Sequence, residues 1–417
     1  MSDKYIPRSL EPVLKKAAAE FPAVVLTGPR QSGKTTLLRH LFGKRYDYVS
    51  LEPPDVRAAA AEDPRGFLDM HSGPLILDEV QYAPDLLPYV KERIDSRRHR
   101  SGQYLLTGSQ NLLVMEKVTE SLAGRAAMLR LLPLSRREAE GLPQAPLPWE
   151  GRGRARSQSR TSHQSNGRRG SPSASIWTEF LRGGYPELVA NPARDVNLWH
   201  ASYVQTYLER DVRTVRQVGD LTQFQSFVRA LAARSSQLLD LTGLARDLGI
   251  AVNTAKAWLS VLEATYQVTV LRPYFANVGK RLVKAPKVYF TDVGTLCYLT
   301  GLRDAQHAAS GPLGGAILET AVLSEITKAL MHRGVSPSVY FWRTSAGGEV
   351  DIVVETDSRL VPIEVKLSAT PRPEMASYIK IFQADFRGKA MPGYVVHPGK
   401  VRLPLGGHVT ALPFAEL

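Results

Sequence analysis

The chain carries, directly behind the apolar run 23–26, the stretch Gly28-Pro29-Arg30-Gln31-Ser32-Gly33-Lys34-Thr35. This stretch matches the pattern G-x-x-x-x-G-K-[ST], and a helical run, residues 36–41, follows it. The two glycines let the backbone turn so that successive N–H groups point at anionic oxygens, and the helix N-terminus adds partial positive charge. Strand, glycine-rich loop and helix in this order predict a binding site for the phosphates of a nucleotide.

The residue types in this loop favour ATP with Mg²⁺ as the bound cofactors. Lys34 would reach the β- and γ-phosphates, and the Thr35 hydroxyl would ligate Mg²⁺. Backbone N–H groups would surround the remaining phosphate oxygens. We therefore expect nucleotide contacts from Gly28, Pro29, Arg30, Gln31, Ser32, Gly33, Lys34, Thr35 and Thr36.

Length and composition indicate several domains and no membrane segment. A chain of 417 residues with 43% apolar residues exceeds the usual size of one hydrophobic core. It contains no apolar run of roughly 18 residues, its N-terminus lacks the centre of a signal peptide, and its single cysteine, Cys297, forms no internal disulfide. These features predict a cytoplasmic protein.

The formal charge of +13 makes the chain basic. Six arginines and no acidic residue lie in residues 151–175, which leaves +7 for the rest of the chain. A basic remainder permits contact with DNA or RNA without requiring it.

Changes of pattern along the chain predict an α/β, multidomain protein with four parts. Residues 1–140 alternate strands and helices, as in a P-loop NTPase parallel sheet covered by helices. Residues 141–175 are rich in Arg, Ser and Pro, which predicts a disordered linker, with a nucleic-acid-binding arm as the alternative. Residues 176–304 are mostly helical, and residues 305–417 read as a helix followed by an antiparallel meander.

The mostly helical part contains a predicted winged helix. The helices Leu241–Leu248 and Asn253–Ala264, separated by a glycine turn, are typical of a helix-turn-helix, with Asn253 as the expected N-cap. Residues 267–271 and 287–291 would form the two strands of a wing.

Two carboxylates end the apolar strand at residues 75–77. Asp78 at the strand tip would hold Mg²⁺ through its waters. Glu79 would point to the opposite side and would orient and deprotonate the attacking water. Behind a phosphate-binding loop, this pair predicts hydrolysis of the nucleotide.

Further candidates follow the next strand, which ends in Thr107-Gly108-Ser109-Gln110-Asn111. Ser109 or Asn111 would sense the γ-phosphate, and the sequence does not separate them; helix capping by Ser109 is an equal alternative. Arg125 would supply positive charge to the transferring phosphoryl group, in cis or from a neighbour in a homo-oligomer. An ordinary surface arginine is the competing interpretation of Arg125.

These motifs together resemble a family of AAA-type ATPases that carry a C-terminal domain of uncharacterised function. The resemblance covers nearly the whole chain except the Arg/Ser-rich insertion, and it implies an ATPase activity and an architecture rather than a pathway. It rests on residues 26–36, 77–81, 106–110, 122–125, 183–187, 207–212 and 289–294.

A second group of charged residues lies near the C-terminus. Asp351 is on one predicted strand, and alternation puts Glu364 and Lys366 on one face of the next. The two carboxylates would hold Mg²⁺ against a phosphodiester while the lysine activates water. Glu319 on the preceding helix would complete the metal shell, with Glu325 as the alternative.

This order resembles the PD-(D/E)xK nuclease-like core, in which the family named above often ends. Val350 stands where the pattern has proline. The resemblance implies a nuclease-like fold, and the competing interpretation is a retained core whose charges form a structural salt bridge.

Three functions therefore stay open. The first is a Mg²⁺-dependent AAA-type ATPase that couples hydrolysis to the winged helix and the nuclease-like module. The second is an ATP-gated, metal-dependent nuclease acting on DNA or RNA. The third is a DNA-binding regulator with little catalysis.

Overall fold

The computed structural model describes residues 5–71, 73–108, 121–150, 176–207, 221–275, 285–344 and 347–417. Within these residues the chain is a mixed α/β protein with two sheets. None of the helices in this part of the chain is long and apolar enough to cross a bilayer. The predicted site residues Ser109 and Asn111, and residues 151–175 of the predicted linker, lie outside the described residues.

The first sheet belongs to the N-terminal part of the chain. Its strands are β1 (Ala23–Thr27), β2 (Asp47–Ser50), β3 (Leu75–Asp78), β4 (Tyr104–Gly108) and β5 (Ala126–Arg130). They are all parallel, in the order β2-β3-β4-β1-β5. The accompanying helices are α1 (Glu11–Glu20), α2 (Lys34–Phe42), α3 (Pro54–Glu62), α4 (Pro64–Asp69) and α5 (Leu87–Ser96). The predicted parallel α/β sheet is confirmed.

Both faces of this sheet are buried, which explains its continuous apolar strands. Along β1, Val24 and Leu26 pack into one cluster, whereas Ala23 and Val25 pack into another on the opposite face. Because the strands are parallel, the carboxyl ends of β1, β3 and β4 meet at one edge. The glycine-rich loop after β1 and the carboxylates after β3 are therefore placed side by side.

The rest of the described chain contains more helices and a second sheet. The helices are α6 (Arg136–Ala139), α7 (Ile176–Arg182), α8 (Pro186–Ala190), α9 (Val196–Tyr207), α10 (Leu221–Ala232), α11 (Leu241–Asp247), α12 (Val252–Ala264), α13 (Val293–Leu299), α14 (Ala305–Ser310), α15 (Gly314–Met331) and α16 (Ser377–Asp385). The strands are β6 (Val268–Pro273), β7 (Lys287–Phe290), β8 (Val339–Arg343), β9 (Glu349–Thr356), β10 (Arg359–Val365), β11 (Gly393–His397), β12 (Leu403–Pro404) and β13 (Val409–Pro413).

The second sheet has the order β12-β13-β11-β10-β9-β8-β6-β7. The predicted meander is present in β8, β9 and β10, which are antiparallel neighbours, while β11 and β13 add parallel pairs. Ile352 and Ile363 face the cluster that contains α15, whereas Val353 and Leu360 face the one that contains α16. The sheet is thus covered by a helix on each face.

The two strands predicted as a wing form the expected antiparallel pair, and one of them also joins the second sheet. β6 and β7 are an antiparallel pair, but β6 also pairs in parallel with β8, through Arg272 opposite Tyr340 and Pro273 opposite Phe341. One hydrophobic cluster extends from the helices of residues 176–304 into residues 305–417. The two parts predicted as separate domains therefore share a sheet and a core.

Two local predictions are corrected by the structure. Helix α12 begins at Val252 with Ala251 as its N-cap, so Asn253 is an exposed residue of the first turn and not the cap. Within the predicted linker, Leu147 and Trp149 are buried in the shared core, and Glu150 pairs with Arg333. Residues 147–150 belong to the folded protein because two large apolar side chains anchor them.

Candidate functional site

The loop after β1 needs glycine at both ends. Gly28 has a φ of +146°, and a Cβ atom there would lie 2.1 Å from the carbonyl oxygen of Leu131. Gly33 has a φ of +92° and directly precedes helix α2. A side chain at Gly28 would collide with the backbone of the neighbouring segment, so this position tolerates glycine alone.

Lys34 lies at the first turn of α2 and is buried. Its Nζ donates hydrogen bonds to the carbonyl oxygens of Gly28, at 3.0 Å, and Pro29, at 2.9 Å. The ammonium group therefore spans the mouth of the loop, within reach of any phosphate that the loop backbone would hold.

Asp78 gathers three hydroxyl groups at the edge of the first sheet. Thr35 Oγ1 donates to Asp78, lying 3.0 Å from each carboxylate oxygen, and Tyr48 donates to Oδ2 at 2.8 Å. Thr107 Oγ1 donates to Oδ1. Burial and the hydrogen bond to Asp78 raise the pKa of Tyr48. Thr35 and Asp78, both expected near Mg²⁺, are brought together across 43 positions of sequence.

Sequence reasoning assigned no role to Tyr48 or Thr107. Both could have been found from the sequence, because each is a polar side chain on a strand of the first sheet. Their neighbouring strands end at the same sheet edge as the phosphate loop. The hydroxyl of Thr107 also accepts a hydrogen bond from the backbone N–H of Glu79, at 3.1 Å. Thr107 thereby fixes both carboxylate residues that follow β3.

Glu79 has a left-handed backbone conformation, with φ of 57° and ψ of 51°. Such a conformation is uncommon for a residue with a side chain and costs on the order of 1 kcal/mol or more. The amide of Gln81 donates to the Glu79 carboxylate, and Glu79 lines the same cleft as the phosphate loop. The strained turn therefore aims the carboxylate of Glu79 at the place where a nucleotide would bind.

A cleft of about 660 Å³ opens above the phosphate loop. One wall is the loop with α2, and the opposite wall comes from α8 and the residues after it, including Pro186, Glu187 and Arg194. Arg194 Nη2 lies 2.5 Å from Glu187 Oε1. No local pattern predicts that Arg194, far along the chain, lines this cleft.

Arg125 lies at the wrong edge of the sheet to act on its own phosphate loop. Its carbonyl oxygen accepts a hydrogen bond from Ala23 N–H, at the start of β1, whereas the loop follows the end of this five-residue strand, roughly 16 Å away. The Arg125 guanidinium makes two hydrogen bonds to Asp95, of 2.7 and 2.8 Å, and these lower the pKa of that carboxyl. The structure therefore gives no support to the predicted role in cis.

In the C-terminal cluster, a lysine takes the central place. Glu319 Oε1 accepts hydrogen bonds from Lys287 Nζ at 3.1 Å and from the Tyr289 hydroxyl at 2.6 Å. Lys287 also pairs with Glu349. Both Lys287 and Tyr289 come from β7, which was predicted as a strand of the wing.

The remaining members of the cluster each have their own donor. Asp351 Oδ2 accepts from the backbone N–H of Val365 at 2.8 Å, and Lys366 Nζ donates to Glu364 Oε1 at 2.5 Å. Glu325 instead accepts from the backbone N–H of Arg136 at 2.7 Å.

Across the part of the chain that the structure describes, no group of three or more His, Cys, Asp or Glu side chains is arranged to hold a metal ion. Glu319, Asp351 and Glu364 make ion pairs and hydrogen bonds in the structure, and their role as a metal shell stays a prediction. This arrangement is the one expected for a core whose charges are structural.

The buried carboxyls of this cluster are strongly perturbed. Burial, together with the nearby Asp351, raises the pKa of Glu319 to about 7 and that of Glu364 to about 8. Glu364 Oε2 is buried without a hydrogen-bond partner among the described residues. Both carboxyls therefore keep their protons at pH values where exposed glutamates have lost them.

The stability of the protein should consequently fall as pH rises. Glu364 binds its proton more tightly in the folded state than in the unfolded state, so its stabilising contribution is complete below pH 4.5 and is lost through pH 8. We expect the free energy of unfolding to fall by roughly 2 kcal/mol between pH 6 and pH 8 from this group. Urea unfolding followed by tryptophan fluorescence at several pH values measures this slope.

The Glu364→Gln variant is the matched control for this effect. Titrating groups that do not interact with Glu364 contribute equally to both proteins, so the difference between the two pH profiles isolates Glu364 and its partners Asp351, Lys366 and Glu319. Parallel profiles for the wild type and Glu364→Gln would contradict the raised pKa.

Comparison with known proteins assigns three segments. Family models match an AAA domain at residues 20–140, a domain of unknown function (DUF8612) at residues 174–306 and another (DUF4143) at residues 314–417. Uncharacterized proteins of Mycobacterium bovis and Mycobacterium tuberculosis are each 32% identical to the chain over 410 residues, which cover 97% of this chain and 82% of theirs.

Solved structures that are similar to the chain include one from Pyrococcus abyssi and one from Aquifex aeolicus. The Walker-type ATPase PABY2304 of Pyrococcus abyssi is similar over 72% of this chain and 99% of its own, with 15% identity and a TM-score of 0.44. AMPPCP-bound DnaA from Aquifex aeolicus is similar over 61% of this chain and 85% of its own, with 13% identity and a TM-score of 0.28. The chain therefore belongs to the same family as these mycobacterial proteins, and its residues 20–140 match an AAA domain.

Proposed function

We propose that the chain hydrolyses ATP with Mg²⁺ in the cleft above the phosphate loop. The observation that supports this most directly is the contact of Thr35 Oγ1 with both carboxylate oxygens of Asp78, at 3.0 Å each, beside the strained turn of Glu79. A hydroxyl and a carboxylate are ligands that Mg²⁺ accepts, directly or through water. The donor set therefore fits the metal that an ATPase requires.

Different residues would bind the phosphates, hold the metal and activate the attacking water. Loop N–H groups and Lys34 would hold the β- and γ-phosphates, and Thr35 with Asp78 would hold Mg²⁺. When bound, the metal neutralises charge on the phosphate oxygens. Glu79 would orient the attacking water and accept its proton. Ser109 and Asn111 remain candidates for contacts with the γ-phosphate.

The second wall of the cleft suggests how hydrolysis would be coupled to the rest of the chain. Glu187 and Arg194 belong to the segment around α8, and the neighbouring Gly184 donates its N–H to Asp292 at 2.7 Å, at the start of α13. A change of nucleotide would thus act on the helices that pack against the second sheet. We include this coupling to the C-terminal module in the proposal.

Phosphate release from ATP by the purified full chain tests the proposal. Hydrolysis should require Mg²⁺ and fall to the background rate when EDTA removes the metal, because Thr35 and Asp78 alone cannot neutralise the phosphate charge. Calorimetric titration of ATP on the same protein measures binding independently. Absence of both binding and metal-dependent hydrolysis would contradict the proposal.

The same preparation also tests the nucleic-acid functions. The charged pairs around Lys287, Glu319 and Lys366 give no support to a metal-dependent nuclease. Near its N-terminus α12 presents the exposed Asn253 and Lys256 and the partly exposed Thr254, a small set for base contacts. Incubation of DNA and RNA with ATP and Mg²⁺ or Mn²⁺ would reveal cleavage.

Arg125 could act on a phosphate only from a neighbouring subunit, so the oligomeric state belongs in the same set of measurements.

A further inference from the structure

Arg8 is buried beside the phosphate loop, with only 4% of its surface exposed, and it borders the cleft that the loop lines. Its Nη1 donates a hydrogen bond to the carbonyl oxygen of Ser32 at 2.8 Å, and its Nη2 donates to that of Leu132 at 2.7 Å. Its Nε donates to Glu138 Oε1 at 3.1 Å. The rigid guanidinium fork therefore joins the phosphate loop to two segments that follow β5.

The bond to Ser32 determines the direction of a neighbouring N–H group. The peptide between Ser32 and Gly33 is planar and trans, so its C=O and N–H point in opposite directions. Because Arg8 holds the carbonyl oxygen of Ser32, the N–H of Gly33 is turned away from Arg8. Gly33 lies at the N-terminus of α2, where such N–H groups bind anions.

We propose that Arg8 is a positioning residue for nucleotide binding, which presets the Gly33 N–H toward the phosphates and is itself held by Glu138 and His332. This inference rests on the proposed ATP site. Arg8 lies outside the loop motif, and the affinity of the loop for phosphate would depend on it.

The carboxylate of Glu138 is the fixed point of this arrangement. It accepts hydrogen bonds from the backbone N–H groups of Ser9 and Ser135, each at 2.8 Å. Arg8 and His332 hold the pKa of Glu138 well below its usual range although burial opposes them. The ionised carboxylate therefore keeps the Arg8 fork in one orientation.

His332 connects this network to the C-terminal part of the chain. The N–H of Leu132 donates to His332 Nε2 at 3.0 Å, so the ring hydrogen is on Nδ1, which lies 3.1 Å from Glu138 Oε1. His332 is the residue that ends helix α15, and α15 also carries Glu319 of the charged cluster. A displacement of α15 would consequently reach the phosphate loop through His332, Glu138 and Arg8.

The Arg8→Met variant tests the positioning role. Loss of a charge-assisted hydrogen bond that orients the loop should weaken binding of ATP and ADP about 10- to 100-fold. The KM for ATP should rise by a similar factor while kcat changes less than about threefold, because ground state and transition state lose the same contact. Fluorescent nucleotide titration and steady-state kinetics provide the two readouts.

Arg93→Met is the matched control. Arg93 also donates to a backbone carbonyl, that of Leu68 at 2.8 Å, but it lies on α5, away from the loop. It should leave nucleotide affinity unchanged. Wild-type affinity in Arg8→Met would overturn the inference, whereas absence of binding in the wild type would instead contradict the proposed ATP site.

If Arg8→Met does not fold, Arg8→Lys replaces it with the same expectation. A lysine ammonium cannot reproduce the forked set of hydrogen bonds that the guanidinium makes.

The wild-type protein supplies a test that needs no variant. Binding of ADP should slow hydrogen–deuterium exchange in residues 31–37 and also in residues 328–333, where α15 ends. Protection restricted to the phosphate loop would show that His332 does not transmit the nucleotide state and would overturn that part of the inference.

Discussion

Replacing Lys34 with alanine is expected to weaken ATP binding at least about 100-fold, since it removes charge-assisted hydrogen bonds to phosphate that each contribute roughly 1.5–3 kcal/mol. The same change removes the two hydrogen bonds from Lys34 Nζ to Gly28 and Pro29, which stabilise the loop in the structure. Calorimetric titration with ATP measures the loss. Hydrolysis should disappear in parallel, because the substrate is no longer held.

Lys16→Ala is the control for loss of a positive charge. Lys16 is largely exposed on α1 and lies 3.9 Å from Glu20, so its removal should leave ATP affinity unchanged. If Lys34→Ala bound ATP as tightly as the wild type, the loop would not be the nucleotide site and the proposed function would be wrong.

Replacing Glu79 with glutamine should separate binding from hydrolysis. The amide keeps the size of the carboxylate and its contact with Gln81 but accepts no proton from water, so kcat should fall about 10²- to 10³-fold. Affinity for ATP should stay within roughly threefold, because Glu79 is not expected to contact the phosphates in the ground state. Single-turnover phosphate release and nucleotide titration measure the two quantities.

Glu20→Gln, at an exposed site on α1, controls for the loss of a carboxylate. A Glu79→Gln protein with wild-type turnover would assign the proton transfer to another group. Equal losses in affinity and turnover would instead indicate that Glu79 maintains the structure of the cleft and does not take part in proton transfer.

Much of the first sheet could be predicted because its strands are buried on both faces. β1 and β3 read as uninterrupted apolar runs, and each ends in the residues that the site needs. Parallel pairing of β1 and β3 with β4 then places Thr35 beside Asp78 at one edge of the sheet. For the same reason the meander of β8, β9 and β10 was predictable, and the strand alternation that pairs Glu364 with Lys366 is confirmed.

The features that could not be predicted depend on partners distant in sequence. Lys287 belongs to the C-terminal cluster but lies on β7, whose local sequence pattern is equally compatible with a wing strand. Arg8 meets Glu138 across 130 positions, and Arg125 was placed by its motif and not by the sheet edge on which it lies. Local periodicity identifies faces of elements, but it does not say which elements are neighbours.

The pairing of β6 with β8 has a consequence for how the chain can be divided. A fragment that begins at residue 305 would lack β6 and β7 and would present the edge of β8, with unpaired N–H and C=O groups, to solvent. Such an open edge is a template for pairing between copies and therefore for aggregation. A C-terminal piece that keeps this pairing must begin before α11, so that the helix pair α11–α12 and the whole second sheet stay in one fragment.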